Sequence, residues 1–185
     1  TVHSTPTGFT QRMNAVLAGT GTSDTRFLVF TRDCDGAETG NATLTFTGVG
    51  STYAGAVLTV LRGDGALTYA SISSADIGSS SDATMPSVSG TSGQTLVGCF
   101  GLGDPPGTTN SVPSGMTFAD ESSTTNSART YFGKLTSTGA TGSKTWDFTT
   151  SQDWGGASVL FNDAGGGSAL PFVDQMARGK QLRRP

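Results

Sequence analysis

Three carboxylates, Asp33, Asp35 and Glu38, surround Gly36 and offer several hard oxygen donors on a tightly turned backbone, the arrangement that Ca²⁺ favours. The full Ca²⁺-loop signature closes on a further acidic ligand, and residues 39–44 supply none. A solvated Asp-Gly hairpin turn accounts for the same residues without a metal, and it is the better reading. Asp120-Glu121 and Asp153-Trp154 raise a second chemistry, glycoside hydrolysis, in which two carboxyls flank the scissile bond. Neighbours on a strand point to opposite faces, so Asp120 and Glu121 do not converge, and no catalytic residue is assigned. Trp154, beside Gly155 and Gly156, is the candidate ring for stacking on a glycan, weighed against a place in the core with Trp146. His3 is the single histidine, which disfavours a nucleophile relay or a zinc site, since either needs partners placed around it. Arg62-Gly63-Asp64 spells an integrin-type tripeptide and Asn41-Ala42-Thr43 a glycosylation sequon. Outside an animal-cell or secretory context, the first is a strand-to-loop turn and the second carries no sugar. No Gly-rich loop links a strand to a helix, so no nucleotide cofactor is expected.

These residues must be positioned by β structure. Only 14% of the 185 residues are charged and 27 are Gly, with Ser and Thr filling most gaps between apolar positions, a composition for strands and tight turns rather than helices. The net charge of −3 gives no basic field, so nucleic acid is not an expected partner. No apolar run approaches the ~20 residues that cross a bilayer, so no membrane partner is expected either. Cys34, in a turn, and Cys99, in an apolar run, do not read as a disulfide pair. The chain starts at Thr1 with no signal-like segment, and further residues are expected to have preceded it.

The organising feature is an internal duplication of residues 5–60 at 112–161. Pro6-Thr7-Gly8-Phe9-Thr10 answers to Pro113-Ser114-Gly115-Met116-Thr117, Phe46-Thr47 to Phe148-Thr149, and Tyr53-Ala54-Gly55-Ala56 to Trp154-Gly155-Gly156-Ala157. Strands are predicted at 25–32, 42–47, 54–62, 94–101, 128–135, 144–149 and 156–161 from alternating or apolar runs bounded by Gly, Asp or Ser. The turns 33–36 and 138–142 are predicted to join consecutive antiparallel strands as hairpins. Residues 64–92 read as polar and strand-poor at first, with Gly78-Ser79-Ser80-Ser81-Asp82 as a loop or weak edge. The second copy has leading strands that the first lacks. The first half should therefore expose a sheet edge, to be completed by preceding residues or by a neighbouring chain.

The fold expected is all-β, an antiparallel jelly-roll-like β-sandwich over residues 1–163 built from the two related halves. Residues 164–185 follow as a Gly-rich linker and a C-terminal arm. The arm carries Leu170, Phe172, Val173 and Met176 and then Arg178, Lys180, Arg183 and Arg184, a sequence too short to fold alone and read as packing on a partner.

The Pro-x-Gly-x-Thr element, with the basic-ended strand, the Gly turn and the Thr-x-x-Phe-Thr strand that follow it, resembles bacteriophage virion surface proteins with jelly-roll or lectin-like domains, either decorating the capsid or belonging to the tail. The resemblance covers roughly 5–161. It implies a non-enzymatic structural component at the virion surface, with other virion proteins and copies of itself as partners. A carbohydrate-binding module for a host surface glycan is the alternative.

Overall fold

The computed structural model describes residues 2–16, 26–34, 43, 45–47, 57–61, 66–102, 111–123 and 127–163. Among these residues the chain is all-β and antiparallel, with no helix. A six-stranded sheet forms the centre. Its strands are β5 (Leu67–Ile72), β6 (Asp76–Met85), β8 (Thr95–Leu102), β9 (Thr117–Ser123), β10 (Ser127–Lys134) and β12 (Lys144–Asp163). The order is β5-β12-β8-β10-β9, with β6 also on β12.

β12 runs for 20 residues and joins what the sequence divides into two strands, 144–149 and 156–161. Its partners explain its length. β5 pairs with its C-terminal end, Asp163 opposite Leu67, and β6 with the rest, from Gly156 opposite Asp76 to Lys144 opposite Met85. Residues 67–85 therefore accompany β12 along nearly its whole course, in a stretch expected to be strand-poor at first with a loop or weak edge at 78–82. Their Ser-rich pattern, with three consecutive serines at 79–81, carries little of the apolar alternation that announces a strand. The ladder is set by β12.

Between Asp147 and Gln152 the register shifts, so that residues 148–151 of β12 stand opposite Ser81 alone. Ser80 organises this bulge, because its Oγ donates to Asp82 O at 2.7 Å and accepts from Trp154 Nε1 at 2.9 Å. Large bulges bend strands and let them pass from one layer to the next. Here the ribbon of β6 and β12 folds back over the central sheet: Ser158 Oγ donates to Pro86 O at 2.5 Å, and a Cβ placed on Gly156 would lie 2.3 Å from Thr84 O.

The folded-back ribbon closes the larger core. Ala83, Met85, Trp146 and Phe148 come from the ribbon, and Leu96, Phe100, Leu102, Tyr131, Trp154 and Leu160 from the sheet. The opposite face of the sheet presents Val97, Ala157 and Val159. It is covered by a hairpin of β2 (Thr10–Val16) and β3 (Arg26–Thr31), which contributes Phe27 and Val29, with Met13 and Ala15 at the margin. Arg12 fastens this hairpin, its guanidinium 3.7 Å from the centre of the Tyr69 ring and its Nε donating to Thr31 Oγ1 at 2.7 Å. The central sheet is thus buried on both sides.

Short pairs complete the ladder, β1 (Val2–His3) with β4 (Phe46–Thr47) and β7 (Ser89–Gly90) with β11 (Gly139–Ala140). They correct the hairpin expectation. The turn at 138–142 does not return β10 onto itself, since β10 pairs with β8 and β9 while β12 pairs with β5, β6 and β8. The turn at 33–36 lies partly outside the described residues, among which β3 pairs with β2 and β4 with β1. Residues 57–61, within the strand expected at 54–62, form no strand.

The two Pro-x-Gly-x-Thr elements have one geometry. Phe9 N–H donates to Pro6 O and Met116 N–H to Pro113 O, each at 3.0 Å, with φ of 81° at Gly8 and 75° at Gly115. A positive φ at the third position of such a turn is what glycine supplies most readily. A strand follows each turn, Thr10 facing Thr31 and Thr117 facing Phe132. Each strand then bulges at its third residue, Arg12 in one and Ala119 in the other, as the registers step from Gln11 to Met13 and from Phe118 to Asp120.

Candidate functional site

The most distinctive side-chain cluster lies where the central sheet ends, on β9 and β10. Glu121 and Arg129 are cross-strand partners and form an ion pair. The Arg129 guanidinium lies 4.8 Å from the centre of the Trp146 ring and 6.0 Å from that of Phe118, and it hydrogen-bonds Tyr131. Phe118 meets Tyr131 edge-on at 5.9 Å. The cluster runs from core to solvent, since Trp146 is fully buried while Phe118 is 41% exposed. Burial pushes the Tyr131 phenol above its ordinary value, and the hydrogen bond and charge of Arg129 oppose that shift. With 38% of the Glu121 side chain exposed, its ion pair is worth at most about 1 kcal/mol. Arg129 contributes chiefly by stacking over the aromatic core and closing its open end.

This pairing has a sequence signal. The run Ser122-Ser123-Thr124-Thr125-Asn126-Ser127 is turn-rich, and a hairpin centred within it places Glu121 opposite Arg129. The carboxylate raised above for hydrolysis is therefore engaged with a cation on the neighbouring strand.

Trp154 is only 6% exposed, with its Nε1 bonded to Ser80 and its ring against Gly78, where a Cβ would lie 2.7 Å from Cζ2. A ring so enclosed has no free face for a sugar, and in this structure Trp154 is a core residue. Asp33 is exposed just beyond β3, whereas Asp35 and Glu38 lie outside the described residues, and the described residues contain no group of three potential metal ligands. Arg62, Gly63 and Asp64 also lie outside them, as do Asn41 and the whole arm with Leu170, Phe172, Val173, Met176, Arg178, Arg183 and Arg184. His3 stacks edge-on with Phe30 and bonds Gln11 at 2.7 Å. No helix among the described residues is long and apolar enough to cross a membrane.

Cys34 is exposed, and Cys99 is partly covered by the smaller core. Desolvation pushes the Cys99 thiol up to about 12, so it stays protonated and unreactive near neutrality. A disulfide-exchange titration of the native protein at about pH 8 should count Cys34 promptly and Cys99 only after denaturant is added. Equal rates for the two thiols would contradict the burial of Cys99.

Comparison with protein-family models, with curated proteins and with solved structures finds no match in any of the three.

Proposed function

We propose that this chain is a non-enzymatic structural component of a bacteriophage virion, a capsid-decoration or tail-associated protein displayed on the particle surface and joined to its neighbours through sheet edges. The observation that carries this reading is the end of the central sheet. β9 is the last strand of the order, with no strand on its outer side among the described residues, and it presents Phe118 to solvent beside the Arg129–Glu121 pair. An open strand edge flanked by an exposed aromatic ring is a template for pairing with another chain. The matched turns and bulges of the two Pro-x-Gly-x-Thr hairpins support a sandwich of two related halves, 5–60 and 112–161, with jelly-roll-like connections and with 164–185 as linker and arm.

Sedimentation velocity on the full chain, combined with immunogold labelling of purified particles, tests the proposal. Concentration-dependent oligomers that Phe118→Lys dissociates, together with label on the particle, are expected. A chain that stays monomeric at every concentration and is absent from particles would overturn it.

The carbohydrate-binding alternative retains one observation, the exposed Phe118 ring next to polar and charged groups, which moves its stacking platform away from Trp154. Saturable binding on a glycan array, abolished by Phe118→Ala, would favour that reading over the structural one.

A further inference from the structure

We infer that the layer formed by β1 to β4 is a cover that undocks from the central sheet as a unit, baring an apolar sheet face while the sheet and its larger core stay folded. This conformational device is independent of the virion role proposed above.

Backbone pairing divides the described residues in two. β1 pairs with β4 and β2 with β3, whereas the strands from β5 onward pair only with one another. Units that open together follow such self-paired motifs, so the layer can leave without breaking a rung of the central ladder.

Side chains make the seam between the two groups. Phe27 and Val29 are buried over Val97, Ala157 and Val159, and the Phe27 ring lies in the hollow left by Gly101, where a Cβ would stand 2.9 Å from its Cδ2. Arg12 stacks on Tyr69 of β5, and Thr59 Oγ1 lies 2.5 Å from Thr130 Oγ1 of β10. Met13 and Ala15, at the margin, are only partly buried. The other face of the sheet is held more firmly, because Met85, Phe100, Tyr131, Trp146 and Phe148 are all buried there together with Trp154. More apolar surface removed from water makes that side the harder one to open.

The chain carries its own probes for the two openings. Cys99 lies on the covered face, with Ala157 and Thr130 opposite it on the flanking strands. Trp146 and Trp154 sit in the larger core. Desolvation holds the Cys99 thiol at about 12, and exposure returns it towards its ordinary value, so its reaction rate follows the fraction of uncovered molecules.

The test uses the full chain with Cys34→Ser, so that Cys99 alone reacts. Exchange with an aromatic disulfide is timed at about pH 8 over a urea series, and tryptophan fluorescence is read on the same samples. Labelling should accelerate at urea concentrations where fluorescence is still native, with a shallower urea dependence than unfolding, since less surface is exposed. Arg12→Ala should raise the labelling rate at low urea about tenfold and leave the fluorescence midpoint nearly unchanged. Phe148→Leu, in the larger core, should lower that midpoint and leave labelling at low urea unchanged. Two results would overturn the inference. Cys99 labelling that follows the fluorescence transition with the same urea dependence, with Arg12→Ala shifting both alike, would make the two layers one cooperative unit. Labelling without urea as fast as that of Cys34 in a Cys99→Ser chain would mean that the layer is not docked.

Discussion

Gly156→Ala is expected to destabilise the protein by about 3 kcal/mol, at or beyond the upper end of ordinary overpacking costs. The new methyl would meet Thr84 O at 2.3 Å and the Thr84 carbonyl carbon at 2.9 Å. Both are backbone atoms. No rotamer change can relieve the contact, and the ribbon would have to lift from the sheet. Lifting it also disturbs the Ser158–Pro86 hydrogen bond and the contact of Met85 with Gly98, which sits under the sulfur with similarly little room. Gly78→Ala is the informative comparison, because there the obstacle is the Trp154 side chain, which can shift. Urea denaturation followed by tryptophan fluorescence measures both. A Gly156→Ala midpoint within error of the parent would mean that the ribbon does not rest on the sheet as described.

Trp146→Ala should cost about 3–5 kcal/mol, the range for deleting a large aromatic side chain from a packed interior. The indole is fully buried and contacts Phe100, Tyr131 and Phe148, with ring centroids 5.5, 6.2 and 5.2 Å away, and it supports the Arg129 guanidinium. Trp146→Phe should cost clearly less. It keeps an aromatic surface under Arg129, and it removes an indole N–H that has no hydrogen-bond partner among the described residues. Similar losses for the two variants, measured by the same denaturation, would show that volume alone matters at this position.

Several strands of the central sheet and its covering hairpin were legible from sequence. The apolar run at 94–101 became β8, the run at 128–135 became β10, and 25–32 became β3, because each has a face to bury and a turn at its end. Legibility failed where pairing rather than pattern decides. Six of the ten residues 76–85 are Ser, Gly or Asp, yet they form β6 because β12 offers an unsatisfied backbone along its flank. The break expected between 149 and 156 follows from the polar run Thr150-Ser151-Gln152-Asp153, which the structure accommodates as a bulge within one strand. The misassigned hairpin at 138–142 has a related cause. Adjacency in sequence suggested β10 with the start of β12, but Trp146 and Phe148 gain more burial by facing Phe100 and Tyr131 across the core. At the candidate site, the Glu121–Arg129 register could be read from the turn between them. The stacking of Arg129 on Trp146 could not, because it depends on the ribbon folding back.

β12 belongs to two layers at once, ribbon on one side of its bulge and sheet on the other. A load applied along this strand would be shared by β5, β6 and β8 as rows of hydrogen bonds sheared together, rather than opened one at a time. The layers are thereby stitched by a continuous covalent thread, and neither can peel away while the other keeps its shape. That thread converts a pull at one end into a stress spread over the whole core.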